Sequence, residues 1–189
     1  MRAPAVGIAA VIFDITRPLA NERRVCLIRR RKPPRQGLWS FPGGRLELGE
    51  TMAACAAREA KEETALSLLA LDHARPCAAV DVIEHEPEPP QAQPQEAGGS
   101  GAEAASADNT ATAAAEPARR RLAFHYCVVD FVAFAAGSPR AGDDASDARW
   151  VPAARVADHV EAHEGVQEAI DSALAMIDAG LVQWPEPRL

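Results

Sequence analysis

The run FPGGRLELGETMAACAAREAKEET, residues 41–64, places two glycines ahead of a helix-forming segment whose last turns carry Arg58, Glu59, Glu62 and Glu63. Thr51 is a natural N-cap, and the residues after it are rich in Ala, Glu and Lys, so the spacing predicts a helix over 51–64. At 100° per residue, Glu59, Glu62 and Glu63 fall within an arc of roughly 100°. Like charges three and four positions apart weaken a helix by roughly a few tenths of a kcal/mol per pair. The carboxylates must therefore face water or meet something that neutralises them. Ala53, Ala56, Ala57, Ala60 and Thr64 occupy the adjoining face. That small-residue face lets the helix lie close on a sheet, with the carboxylates at the edge of the packed surface. Oxygen donors of this kind are hard ligands that suit Mg²⁺ or Mn²⁺ and suit zinc poorly. A solvated acidic face is the other reading, and the helix alone does not separate the two. Gly43 and Gly44 weigh on the side of a site, because glycine permits close backbone approach and can bring main-chain carbonyls and a phosphate beside the acidic face.

Outward from this run the chain alternates apolar segments and turns. Residues 6–14, VGIAAVIFD, and 24–30, RVCLIRR, read as two strands joined by the turn-like TRPLANE, which predicts a hairpin. RKPPRQG is a loop, because its prolines forbid regular pairing. Residues 77–85, CAAVDVIEH, read as a strand, as do 120–134, RRLAFHYCVVDFVAF. Between them, about 86–118, lies a stretch with no aromatic residue and no Val, Ile or Leu. It cannot bury enough apolar surface to offset ordering, so we read a flexible, disordered insert joining two neighbouring strands. GSPRAGDDASD is a polar loop and ARWVP a short strand. A last helix runs from about Glu164 to Ala179, with Val166, Ile170, Ala173, Ile177 and Leu181 at helical spacing and Gly180 as its stop. This order predicts an α/β domain over residues 1–189 with a mixed sheet between helices.

With 189 residues, 48% of them apolar and 25% charged, the composition is that of a soluble globular domain. The net charge of −7 argues against nucleic acid or an anionic membrane as a partner. No apolar run approaches the ~20 residues of a membrane-spanning helix. The β-branched N-terminal run ends in Asp14 and reads as a strand, not a signal peptide. Cys26, Cys55, Cys77 and Cys127 form no CxxC pair and read as small buried thiols of a reduced, cytoplasmic protein.

The array Gly44, Glu50, Arg58, Glu59, Ala60, Glu62, Glu63, Ala65, Leu66 resembles the signature of the Nudix hydrolase family: Gly, five residues, Glu, seven residues, then Arg-Glu-aliphatic-any-Glu-Glu-any-Gly-aliphatic. One position departs. Ala65 stands where the family has glycine, so the helix exit should be stiffer or the helix slightly longer. The resemblance implies an α/β/α sandwich and Mg²⁺- or Mn²⁺-dependent hydrolysis of a nucleoside diphosphate linked to another moiety. It implies Glu59, Glu62 and Glu63 as metal ligands, with Glu59 also activating water and Arg58 orienting Glu59. It further implies Glu50 as support for the loop–helix junction or for a further metal, the Gly44 carbonyl as an extra ligand, and Gly43 as support. GLWSFPGG, HYCVVDF and AGDDASDARWVP look most like the ADP-ribose pyrophosphatase and MutT-like branch. ADP-ribose is then the leading substrate, giving AMP and ribose 5-phosphate. A (d)NTP such as 8-oxo-dGTP and a non-catalytic nucleotide-binding module are the alternatives. A small-molecule nucleotide is the expected partner, and a homodimer is allowed.

Similarity to MutT-type proteins also nominates Asp144, six residues before Trp150, as an auxiliary metal ligand or base, with Asp143 second and a polar turn as the bland reading. It nominates Arg30 near a substrate phosphate, while Arg29 and Arg31 read as solvated. Trp39 reads as core or rim but lies close enough to the loop to touch a base. His125 and Asp130 fall on opposite faces of one strand. His73 and His85 stand alone, and His159 and His163 lack the neighbouring glutamate of a zinc motif. If the 86–118 stretch has no part in the core, deleting residues 88–116 and joining the ends with a short Gly/Ser turn will leave the unfolding midpoint unchanged. Amide hydrogen exchange across 91–115 will be fast in the intact chain, and strong protection there would show a structured element instead.

Overall fold

The computed structural model describes residues 3–33, 35–69, 74–86 and 121–185. Apart from Glu86, the expected insert lies outside them, as does His73. The described strands are β1 (Ala5–Asp14), β2 (Arg24–Arg30), β3 (Trp39–Ser40), β4 (Gly43–Arg45), β5 (Pro76–His85), β6 (Leu122–Ala135) and β7 (Ala145–Pro152), and the two helices are α1 (Met52–Thr64) and α2 (Val166–Asp178). They form one mixed sheet of order β3-β2-β1-β6-β5, with β4 paired to β1 and β7 to β2.

β1 is apolar on both faces because both are covered. Ile8, Ala10 and Ile12 pack with Cys55, Ala56 and Ala60 of α1, whereas Val11 and Phe13 pack with Val166, Ala169, Ile170 and Ala173 of α2. The mixed sheet between helices is therefore as expected. The hairpin reading is corrected in one respect. β1 meets β2 antiparallel only at Phe13–Val25, because its first half pairs with β4 and its whole length runs parallel to β6, from Ala5–Tyr126 to Asp14–Ala135. β5 and β6 pair antiparallel, as expected for strands on the two sides of an insert. Strand β7 starts at Ala145, earlier than ARWVP implied, because it pairs along all of β2. Among the described residues no helix is long and apolar enough to cross a membrane. All four cysteines are free; Cys26 and Cys55 are buried, but Cys127 is exposed.

The ends of α1 explain its placement. The Thr51 hydroxyl accepts from the Ala54 amide at 3.1 Å, the expected N-cap. At the other end the helix is not longer than the signature. Ala65 takes a left-handed conformation, φ 60°, and its amide bonds back to the Lys61 carbonyl. The last carbonyls are met by the β6–β7 loop: Arg140 N–H donates to Thr64 O at 2.8 Å and Gly142 N–H to Glu63 O at 3.1 Å. A Cβ on Gly142 would lie 2.4 Å from Glu62 O, so only glycine lets this loop dock.

A left-handed alanine carries strain of about 1–2 kcal/mol, partly offset by the about 0.4–1 kcal/mol by which alanine restricts the unfolded chain. Ala65→Gly should therefore raise stability by about 0.5–1 kcal/mol. A urea titration will show a higher midpoint with an unchanged slope.

Candidate active site

α1 does not bear its glutamates at the rim of the packed surface. Glu59 and Glu63 lie within the buried face, 9% and 5% exposed, and Glu62 points outward. The space for them comes from β4. A Cβ on Gly44 would sit 2.2 Å from a Glu59 carboxylate oxygen, so that carboxylate occupies the place where a side chain would be. Gly43 is confined on the other face, where a Cβ would lie 2.4 Å from Ile8 O and 2.7 Å from Ala9 Cα. Its N–H donates to the Glu63 carboxylate at 2.9 Å.

Arg58 ties the cluster together. It forms a two-pronged pair with Glu50, Nε to Oε1 and Nη2 to Oε2, each 3.0 Å. Its Nη1 donates to Glu59 at 2.6 Å and reaches Glu62 at 3.3 Å, and Nη2 also meets the Arg45 carbonyl at 3.2 Å. Glu50 thus braces the loop–helix junction. Arg58's hydrogen bond holds the Glu50 carboxyl well below its ordinary range, at about 2. The buried pair is pushed the other way. Desolvation raises Glu59 despite its bond to Arg58, and desolvation drives Glu63 up to about 7, opposed by the Gly43 amide. Two buried carboxylates that resist ionisation mark a site short of positive charge.

The β6–β7 loop, docked on the end of α1, brings in Asp144. Its charge is felt by Glu63, as is that of Arg30. The Asp144 carbonyl accepts from the Arg31 amide at 2.8 Å, and its carboxylate pairs with Lys32 at 2.5 Å. The Arg31 guanidinium donates to Ala145 O at 2.8 Å. Arg31 is exposed, as its solvated reading has it, but its guanidinium also anchors the loop, and Lys32 completes an arrangement for which no sequence expectation was set. The run of cations from 29 to 32 was its only signal. Trp39 is placed in the core, 5% exposed, with the Arg149 guanidinium 4.3 Å over its ring. It is not an open platform for a base. The segment holding His159 and His163 is not helical; the His163 amide bonds to Trp39 O. His125 contacts Asp81, on the face opposite Asp130.

Among the described residues no three Asp, Glu, His or Cys side chains close into a metal cage, and Arg58 engages Glu50, Glu59 and Glu62. The donor set nevertheless fits a hard divalent cation: carboxylate oxygens, a main-chain carbonyl at a position with no side chain, and burial that opposes the bare charges. A model of the NUDIX domain matches residues 4–170. The chain belongs to this family. The Nudix fold recurs in the NUDIX domain of Shewanella oneidensis NrtR, solved with ADP ribose (TM-score 0.60, 18% identity, 94% of this chain and 90% of that one). It recurs too in a MutT NUDIX hydrolase from Burkholderia pseudomallei (TM-score 0.56, 19% identity, 90% and 98%). Among characterised sequences, an ADP-ribose pyrophosphatase of Methanocaldococcus jannaschii is 36% identical over 63 residues, 33% of each chain. An octanoyltransferase of Myxococcus xanthus is 46% identical over 62 residues, 33% of this chain and 17% of that one. The matches thus span a third or less of either curated relative.

The two glycines should respond differently to a methyl group. Gly43→Ala meets backbone that cannot yield and should cost about 1–3 kcal/mol of stability. Gly44→Ala meets the end of a side chain, so the Nudix domain should stay folded while the Glu59 carboxylate is displaced. Thermal melts will separate them, with the Gly43 variant unfolding at a lower temperature and the Gly44 variant close to the parent protein.

Proposed function

We propose that this Nudix protein is a Mg²⁺-dependent pyrophosphohydrolase that cleaves a nucleoside diphosphate linked to another moiety, with ADP-ribose as its leading substrate and AMP and ribose 5-phosphate as products. The observation that carries this reading is the joint placement of Glu59 and Glu63 against the side-chain-free edge of β4, with Arg58 bonded to Glu59 and Glu50. A purely structural acidic helix would turn these carboxylates outward. The partial similarity to an ADP-ribose pyrophosphatase supports the choice of substrate.

In this reading Glu59, Glu62, Glu63 and the Gly44 carbonyl would hold the cation, and the chemistry it would supply there is charge neutralisation of the pyrophosphate and a lowered pKa for an attacking water. Arg58 fixes the rotamer of Glu59, so one carboxylate oxygen is committed to the guanidinium and the other is left for the reaction. Gly43 N–H restrains Glu63 in the same way. Arg30 offers positive charge to a phosphate oxygen on the side of Glu63. Asp144, brought alongside by the docked loop, adds a carboxylate to the metal site or acts as a base, and Lys32 holds it in place before substrate arrives.

Hydrolysis of ADP-ribose should require Mg²⁺ or Mn²⁺ and stop with excess chelator; full activity in chelator would remove the mechanism. Glu62→Gln should lower turnover by orders of magnitude with the fold intact. Among the loop carboxylates, Asp144→Asn should reduce kcat more than it changes KM, and Asp143→Asn and Asp147→Asn should do less. Near-normal turnover for Asp144→Asn would show that the signature glutamates act without it.

A further inference from the structure

On the α2 face of the sheet the strands outrun the helix. α2 covers Val11, Phe13, Val132 and Phe134. The continuation of that face along β5 and β6, through Val128, Tyr126, Val80 and Val82, is half-buried to exposed, with Val80 47% exposed. Asp130 stands at the border. It is 7% exposed, yet among the described residues no hydrogen bond or ion pair reaches its carboxylate. The neighbouring Cys77 thiol donates to the Asp130 main-chain carbonyl, not to the carboxylate. Among the described residues, Arg24 Nε and His163 Nε2 are the enclosed side-chain atoms that lack partners. The Asp130 oxygens are not sealed in that way.

The register sets Asp130 two strands from the glycine edge of the candidate site, on the α2 face, while the signature glutamates reach that edge from the α1 face. Asp130 lies opposite Ala9, and Ala9 opposite Gly43. Two strand spacings put Asp130 about 10 Å from the glycine that holds Glu63. From there the α2 face runs over flat apolar residues to Phe124 and Tyr126, whose rings meet edge to face at 5.7 Å. Beyond them a cleft of about 600 Å³ is bordered by Arg45, the residue after Gly44. A planar ring can lie on such a surface, and what a lone buried carboxyl needs from it is an N–H donor.

We propose that Asp130 is a specificity-determining residue, which accepts a hydrogen bond from the exocyclic amino group of the substrate's nucleobase as the ring lies on the uncovered part of the α2 face. The inference rests on the nucleotide-substrate reading above. Burial alone pushes the Asp130 carboxyl up to about 6, which agrees with a group that lacks its partner. A base without the amino group would present only a C–H at that position, leaving the carboxyl without a donor, and such mismatches are strongly rejected.

The test uses adenosine and purine riboside, which differ only by the amino group, in NMR titrations of the full chain. The wild-type protein should bind adenosine at least tenfold more tightly. Asp130→Ala should bring the two within about twofold, and Asp130→Asn, which keeps one acceptor, should fall between. With aspartate carboxyls ¹³C-labelled in the wild type, the Asp130 resonance should move with adenosine and stay still with purine riboside. That measurement decides the matter even if a variant fails to fold. Equal affinities in the wild type, an unmoved Asp130 resonance, or a preference that survives in Asp130→Ala would overturn the proposal. None of these readouts needs hydrolysis. Loss of the ADP-ribose assignment would therefore leave a positive result standing, and a negative result would leave that assignment intact.

Discussion

The site depends on a missing methyl group. Because β4 presents Gly43 and Gly44 to its neighbours, α1 can approach the sheet with two carboxylates on its inner side. Elsewhere on that face the contact residues are Cys55, Ala56 and Ala60, small enough to keep the helix close. Burying two carboxylates is unfavourable by any accounting, and the structure limits the cost with one backbone N–H and one guanidinium. What remains is a deficit of positive charge around Glu59 and Glu63, the condition on which the proposed cation site rests.

Arg58 has a different part from that of a charge-balancing surface residue. It is bonded to both ends of the loop that leads into α1, Glu50 and the Arg45 carbonyl, and to the glutamate beside it. A shift of the loop is therefore felt at Glu59. The β6–β7 loop is attached just as directly at the other end of the helix, through Arg140 and Gly142. The acidic residues come from separate segments, but α1 is the common rigid body to which all are referred.

What could be read from the sequence was what local forces decide. The α1 span, its Thr51 cap, the apolar strands and the spacing of the glutamates follow from periodicity and propensity within a few residues. The burial of Glu59 and Glu63 depends on β4 and could not be read from the helix, where a rim position looked natural. The roles of Arg31 and Lys32 could not be read because their partner, the Asp144 loop, is more than a hundred residues away in the chain. Trp39 looked available to a base because it is near the glycine loop, but Arg149 from β7 covers it. Ala65 was recognised as a departure, yet its outcome, a strained turn and not a longer helix, was set by the loop that docks on the carbonyls before it.

The parallel pairing of β1 with β6 has a consequence for the order of assembly. β1 precedes the other strands of the sheet in the chain, and both its faces are apolar, yet its long partner begins at Leu122. Until that segment emerges, the early strands and α1 can make only their mutual contacts, and the side of β1 that β6 will fill stays open. Closure of so distant a pair is the slow kind of step in folding. The acidic cradle is thus translated early but made rigid late, after β6 and its following loop have arrived. A nascent chain halted before β6 would expose an unpaired, hydrophobic strand edge, the feature that most invites association with other chains.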